Sequence, residues 1–232
     1  MVLRLRIFGK FTHSMHFFNL DFHLLKKRWH DFVPTPRRKL FALLSLLTLF
    51  ASFGLNHIMS TYADNVQSNQ VTDLFLDLLP VTDVNFIFFW IAFLWCIGLF
   101  VYHLWNPQQL AFLLWSYALF ISVRALFITL THVGPPTNLA IIPKELEVYA
   151  FEADMFFSGH VGGPFLFAML TNHLIWKRVA IFYTALTLVV VLLGHMHYSI
   201  DVFAALFISH SLSVSLKKMK PWFERKIFGH QV

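Results

Sequence analysis

Two short polar stretches, each at the edge of an apolar segment, hold the residues whose types and spacing could do chemistry. The first, DMFFSGH, runs from Asp154 to His160, and the second, HYSIDV, places His197 and Asp201 four residues apart. Four residues along a helix bring two side chains to one face. A carboxylate beside an imidazole fixes its tautomer and makes its other nitrogen more basic, which suits a histidine that attacks or takes a proton. The alternative is an ordinary structural hydrogen bond.

Ser158, Gly159 and His160 predict the start of a helix. Serine is a favoured N-cap residue, and the N–H groups of a first helical turn are free to bind an anion. A phosphate near His160 would therefore be stabilised by backbone amides. The alternative is a capped helix whose histidine takes no part in chemistry.

Two other chemistries agree less well with the spacing. A zinc site could draw on His160, His195, His197, Asp154 and Asp201. However, no His-x-x-x-His pattern is present, and on a helix of 3.6 residues per turn His195 and His197 would point about 200° apart. A Ser-His-Asp hydrolase would need a Gly-x-Ser-x-Gly elbow, which the sequence lacks. We therefore expect a site that needs no metal ion or cofactor.

The elements that must position these residues are membrane helices. The chain of 232 residues is 57% hydrophobic and only 13% charged, which excludes an ordinary soluble domain. Its apolar blocks have the length of roughly 17–25 residues that crosses a bilayer as a helix. The sequence predicts an all-α polytopic fold with six spans, near residues 39–59, 85–104, 110–132, 158–175, 179–195 and 200–216.

The basic residues predict the orientation. Of 18 Lys and Arg, nine lie at or before the start of the first span, two between the fourth and fifth spans, and five after the sixth. The positive-inside rule then places both termini in the cytoplasm, and the polar stretches at the periplasmic, lumenal or extracellular side. The net charge of +6 is thus explained by topology, and a nucleic-acid partner is not expected.

Three regions are predicted from this pattern. Residues 1–38 form a basic cytoplasmic segment, 39–216 the membrane domain with the site, and 217–232 a basic cytoplasmic tail. Apolar residues three and four apart predict an interfacial amphipathic helix in the first region; they are Phe8, Phe11, Met15, Phe18, Phe22, Leu25 and Trp29. The alternative is a helix packed on the rest of the protein or on a partner subunit.

Arg124 lies about eight residues, or roughly 12 Å, inside the third predicted span. An unpaired arginine at that depth would cost about 2–3 kcal/mol, so it must have a partner. The simple partners are a backbone carbonyl, an aspartate such as Asp83, or the membrane interface. The functional partner would be a substrate phosphate, because the planar guanidinium binds two oxygens at once.

Together the stretches at 154–160 and 197–202 resemble the type-2 phosphatidic acid phosphatase superfamily, and more closely its sphingomyelin synthase branch. The histidines of the two motifs are 37 residues apart across one helical hairpin, as in that branch. The segments RALFITLTHVGPP (124–136) and LDLLP (76–80) stand where the branch has further signatures. The phosphatase signature Lys-x6-Arg-Pro is absent, and Val191 replaces the arginine six residues before the second histidine.

Several positions depart from the synthase branch. Glu152-Ala153 replaces Cys-Gly, Val161 and Ser199 each replace a threonine, and Leu206 replaces a tyrosine. These departures leave the head group and the acceptor open.

The resemblance implies a reaction through a phosphohistidine. His197, oriented by Asp201, would attack phosphorus, and His160 would protonate the departing lipid alkoxide. A second lipid alcohol, similar to ceramide or diacylglycerol, or water would then resolve the intermediate. Substrate-binding residues are expected to be Ser158, Gly159, Asp154, Arg124 and Tyr198.

Other functions remain open at this stage. A lipid phosphate phosphatase or a phospholipase C-type hydrolase would use the same residues, and a transporter or scaffold would hold a lipid phosphate without chemistry. The expected partners are membrane lipids, a phospholipid donor and a lipid acceptor, and the protein could form a homo-oligomer.

Overall fold

The computed structural model describes residues 22–32, 36–136 and 154–228. Within these ranges the regular structure is helical, and no strand is present. The helices are α1 (Phe22–Phe32), α2 (Pro36–Asn65), α3 (Leu74–Leu78), α4 (Asn85–Trp105), α5 (Pro107–Leu130), α6 (Gly159–Leu170), α7 (Leu174–Leu193) and α8 (Ser199–Phe228).

Five helices in the described part of the chain are long and apolar enough to cross a membrane: α2, α4, α5, α7 and α8. The all-helical membrane fold is thereby confirmed. The predicted fourth span, 158–175, corresponds to α6, which has 12 residues. Twelve residues rise about 18 Å, less than the roughly 30 Å of a hydrocarbon core, so a sixth full span stays a prediction. Helix α8 continues to Phe228, through most of the predicted tail.

The short helix α6 packs closely against its neighbours, principally α7 and α8. Gly162 makes this approach possible, because a Cβ there would lie 2.9 Å from the Phe120 ring and from Ser209 Oγ. Ser209 Oγ also donates a hydrogen bond of 2.9 Å to the Gly162 carbonyl. Small residues and hydroxyls at such contacts are the usual means of packing helices in membranes. The beginnings of α6 and α8 are thereby brought side by side.

At one end of the bundle α4 turns directly into α5. Tyr102 Oη donates to Gln109 Oε1 at 2.7 Å and lies 3.0 Å from Thr171 Oγ1, which ties this turn to the end of α6. Helix α1 packs beneath it, since Trp29 Nε1 donates to the Leu104 carbonyl at 2.9 Å. This packing favours a helix packed on the rest of the protein over an interfacial helix. The residues of the predicted amphipathic helix before Phe22 lie outside the described residues.

The other end gathers the connections between the helices, and the polar stretches lie there. Ser68 N–H donates to the His132 carbonyl at 2.6 Å, and Thr82 N–H donates to the Leu193 carbonyl at 2.9 Å. These bonds join the end of α2 to the end of α5, and the segment before α4 to the end of α7. We call this region the polar end: Asp73, Arg124, Asp154, Ser158, His160, His197 and Asp201.

Candidate active site

His197 and Asp201 lie at the beginning of α8. His197 Nδ1 is 3.6 Å from Asp201 Oδ2, and both side chains are buried. This distance is longer than a hydrogen bond, and His197 Nδ1 has no hydrogen-bond partner. Asp201 Oδ2 accepts instead from the Tyr198 N–H at 3.0 Å. The carboxylate therefore holds the backbone beside the histidine as well as facing its ring.

Asp73 fixes the first residue of α8 from a distant loop. Its Oδ2 accepts from the Ser199 N–H at 2.6 Å, and its Oδ1 accepts from the N–H groups of Phe75 and Leu76 at 2.9 and 3.2 Å. Burial by itself raises the pKa of Asp73, but hydrogen bonds from Ser199, Leu76 and Phe75 outweigh it and lower the pKa below 3.8. The sequence analysis missed this role. Asp73 before an apolar run is a typical N-cap, but its bond to α8 leaves no local signal.

Ser158 occupies the N-cap position of α6, as predicted, yet its side chain makes no capping bond. Its Oγ is buried without a hydrogen-bond partner, and its N–H donates to the Asp201 carbonyl at 3.2 Å. That bond links the start of α6 to α8. The N–H groups of Gly159 to Val161 lie in the first turn, where no carbonyl of the same helix can accept from them.

Arg124 is buried and forms an ion pair with Asp154. Its Nη2 is 2.7 Å from Asp154 Oδ1, and its Nη1 donates to Asp154 Oδ2 at 3.0 Å. The remaining donors reach Phe157 O from Nε at 2.8 Å, Asn56 Oδ1 from Nη1 at 3.1 Å, and Asp154 O from Nη2 at 3.2 Å. Of the five N–H groups of a guanidinium, four thus donate hydrogen bonds, while Nη2 also faces Asp154 Oδ1 in the ion pair without a hydrogen bond to it.

Of the simple partners expected for Arg124, the backbone carbonyl is confirmed and the aspartate is Asp154 instead of Asp83. Asp83 Oδ1 accepts from Asn85 at the start of α4. Gly159 leaves room for the arginine, because a Cβ there would lie 3.0 Å from Arg124 Nε. Asn56, which the sequence analysis did not single out, completes the group from α2.

His160 faces a cavity at the polar end. Its ring packs edge-on against Phe88, with centroids 4.7 Å apart, and it follows Gly159, which lies against the Arg124 side chain. The cavity has a volume of about 600 Å³ and is lined by residues of α2, α4, α5, α6 and α7. At one end of its wall lie the polar residues Asn56, Arg124, Asp154 and His160, together with Gly159. His197 and Asp201 are not on this wall.

Tyr198 points elsewhere. Its hydroxyl donates to the Gly134 carbonyl at 2.9 Å and accepts from the Val71 N–H at 3.3 Å. With Asp73, Asp77 and His195 it lines a second cavity of about 370 Å³. The structure does not bring Tyr198 to the cavity that His160 faces, and its role toward substrate stays a prediction.

The segment that holds both later histidines is not helical, so the predicted angle between them does not apply. His195 has a φ of 49°, and its Nε2 lies 3.3 Å from the Leu79 carbonyl. In residues 22–32, 36–136 and 154–228, no group of three or more His, Cys, Asp or Glu residues is placed to hold a metal ion.

Residues 153–218 match the family described as PAP2 superfamily C-terminal. The matched segment contains α6, α7 and most of α8, and with them His160, His197 and Asp201. The match supports the PAP2 superfamily, whose members are generally phosphatases or phosphotransferases. Neither a curated protein nor a solved structure matches the chain.

Proposed function

We propose that this protein is a sphingomyelin synthase-like lipid phosphotransferase, which moves a phospho-head group from a glycerophospholipid to a lipid alcohol. The observation that supports the proposal is the bond from the Ser158 N–H to the Asp201 carbonyl, which sets the start of α6, with His160 and its free first turn, beside the His197–Asp201 pair at the polar end. The PAP2 match supports lipid phosphate chemistry in general. The resemblance to the synthase branch and the absent phosphatase signature support transfer.

In the first half-reaction His197 Nε2 attacks phosphorus, because Nδ1 faces Asp201. The P–O bond to the glycerolipid breaks, and His160 gives its proton to the departing alkoxide. The 3.6 Å separation of His197 and Asp201 shortens as positive charge develops on the imidazole, since catalytic hydrogen bonds often tighten only with substrate bound. The product is a phosphohistidine that carries the head group.

In the second half-reaction His160, now neutral, takes the proton of the acceptor hydroxyl. The acceptor oxygen attacks phosphorus, the P–N bond to His197 breaks, and the enzyme returns to its starting state. Backbone N–H groups of the α6 first turn stabilise the phosphoryl oxygens. The buried Ser158 hydroxyl is a further donor that has no partner in the protein.

Arg124 acts in this proposal as a positioning residue. Four of its five N–H groups donate to Asp154, Phe157 and Asn56, and Nη2 also pairs with the Asp154 carboxylate. Arg124 therefore fixes the segment that leads into α6, and so the position of His160, without contacting the phosphate.

Orientation belongs to the same proposal. The distribution of basic residues supports cytoplasmic termini and a site at the opposite leaflet. Tags at either terminus should be protected from protease in sealed right-side-out vesicles. Cleavage of the C-terminal tag from outside would overturn the leaflet assignment.

The test of the reaction is direct. Purified protein in mixed phospholipids with ceramide or diacylglycerol should yield the acceptor lipid bearing the donor's head group, detected by mass spectrometry. With the acceptor omitted, a labelled head group should remain on the protein in acid-labile form. Release of the phospho-head group or inorganic phosphate at the same rate with and without acceptor would instead establish a hydrolase. Folded protein that binds phospholipid but changes none of it would establish a carrier or scaffold.

A further inference from the structure

The cavity that His160 faces extends far beyond the polar end. Helix α4 lines it with Ala92, Cys96, Leu99 and His103, which share one face of the helix. Ala92 and His103 are separated by about 16 Å along the axis at 1.5 Å per residue. Phe88, which contacts His160, lies one turn above Ala92. The cavity thus runs from His160 toward the turn between α4 and α5.

Between the polar end and His103 the wall offers almost nothing to a polar ligand. Its residues are mostly apolar, among them Leu49, Phe53, Leu113, Phe120 and Ile121. The hydroxyl of Tyr117 is already engaged, donating to the Gly163 carbonyl at 3.1 Å. A head group would lose its hydration here without gaining hydrogen bonds. A hydrocarbon chain has no such cost.

His103 lies at the far limit of the cavity. Its Nδ1 is 2.7 Å from the Leu99 carbonyl, and Nε2 is buried without a hydrogen-bond partner. Beyond it the turn between α4 and α5 is closed by the bonds of Tyr102 and by α1. The cavity therefore has an end, and the length of an occupant is limited.

The side of the cavity toward the bilayer lies between α2 and α4. Helix α2 packs along α5 and helix α4 packs on α7, while these two helices, both described in full, are not extensively packed on each other. Phe53 on α2 and Cys96 on α4 line the cavity and are exposed. A chain can pass between these helices from the surrounding lipid.

We propose that this cavity binds one hydrocarbon chain of the phospholipid donor, which enters between α2 and α4, with the head group at His160 and the chain end limited by His103. The identity of the head-group end rests on the proposed function. Lipid tails are as apolar as the pocket, so burial adds little net affinity. The pocket selects by length instead, because a chain too long for it displaces the phosphorus from His197.

The test uses substitutions that shorten or lengthen the pocket. Cys96→Phe places a ring near Tyr117 and Tyr183, halfway along the cavity. Leu94→Phe is the matched control, since Leu94 lies on the same helix, is 58% exposed and is not on the wall. His103→Ala removes the end. Each variant is assayed with phosphatidylcholines of graded chain length, and lipid occupancy is measured by native mass spectrometry in a His197→Ala background.

We expect Cys96→Phe to lower kcat/KM for long chains by about ten-fold or more, as steric discrimination in apolar pockets does, and to spare short chains. Leu94→Phe should leave the profile unchanged, and His103→Ala should shift the preferred length upward. Ala92→Phe repeats the shortening if Cys96→Phe does not fold. An unchanged profile and unchanged occupancy in both shortened variants would overturn the pocket while transfer activity stands. If the shortened variants bind less long-chain lipid but the protein with His197 intact shows no turnover, the pocket would be supported and the proposed function overturned.

Discussion

The polar end and the wall formed by α2 and α4 are built in opposite ways. At the polar end each buried charged side chain is held by several elements: Asp73 joins α3 to α8, and Arg124 joins α5 to the segment before α6. Along the wall, large apolar side chains of α2 and α4 are exposed, and the two helices are largely apart. Phosphoryl transfer tolerates little displacement of its groups, whereas a hydrocarbon chain needs only space and an apolar surface. The bonds that join separate elements are therefore concentrated at the polar end, where we propose that the chemistry occurs.

The largest expected effect is a loss of turnover that distinguishes the two histidines just before α8, His195 and His197. His197→Ala should lower turnover by at least about a thousand-fold, because the nucleophile is lost, while lipid occupancy of the cavity persists. His195→Asn is the matched control, since asparagine tolerates the positive φ found at that position. It should leave turnover within a few-fold of wild type. Equal losses in both variants, measured by lipid mass spectrometry, would mean that His197 is only structural.

The second effect tests whether Arg124, paired with Asp154, positions the start of α6 or binds the substrate phosphate. Arg124→Gln leaves the part-buried Asp154 without its charged partner and should destabilise the protein by at most about 3–5 kcal/mol. Displacement of the α6 start should lower kcat by about a hundred-fold. Arg124→Lys keeps the charge but loses the fork, so it should fall between wild type and Arg124→Gln. The measurements are thermal unfolding in detergent and kcat/KM.

Asp154→Asn distinguishes direct phosphate binding from positioning. If Arg124 positions the start of α6, Asp154→Asn should lower activity about as much as Arg124→Gln does. The double variant should then lose little more activity, as expected for two residues of one network. Tighter substrate binding in Asp154→Asn, with turnover retained, would show instead that the freed arginine contacts phosphate.

Asp73 gives a smaller effect with a defined pH dependence. The folded pKa lies below the ordinary 3.8, so the carboxylate stabilises the fold above that pH and loses its contribution as pH falls through the lowered value. Asp73→Asn keeps an oxygen that can cap α3 but loses the second oxygen, which accepts from the Ser199 N–H, and should lower stability by about 1 kcal/mol. The difference from wild type should be constant above about pH 5 and vanish in stronger acid. Thermal unfolding across this range is the measurement, and a difference that grows with acid would contradict the assignment.

The smallest effect compares two glycines. In Gly159→Ala the added carbon would lie 3.0 Å from Arg124 Nε, so the arginine must shift by a few tenths of an ångström. We expect a loss of activity of less than about ten-fold, since misplacement by a full ångström costs about a hundred-fold. Gly54→Ala, on helix α2, meets nothing within 4 Å. It should stabilise α2 slightly and leave activity unchanged. A larger loss in Gly54→Ala would mean that the wall is as constrained as the polar end.

The sequence by itself determined the membrane helices and singled out the residues that we propose do the chemistry. Spans can be recognised because hydropathy is summed over neighbours along the chain, and α4 begins where the prediction placed it. Ser158 could be recognised as an N-cap because capping is local. The spacing of His160, His197 and Asp201 carried the resemblance to a family, and the match over 153–218 supports its broader level.

Only the tertiary structure decided which distant groups meet. Arg124 pairs with Asp154 thirty residues later, and Asp73 bonds Ser199 at a separation of 126 residues. Asn56 joins them from α2. The cavity between α2 and α4 likewise depends on which helices pack together. Such contacts are set by the packing of whole helices and leave no periodic trace in the chain, so hydropathy and spacing could not reveal them.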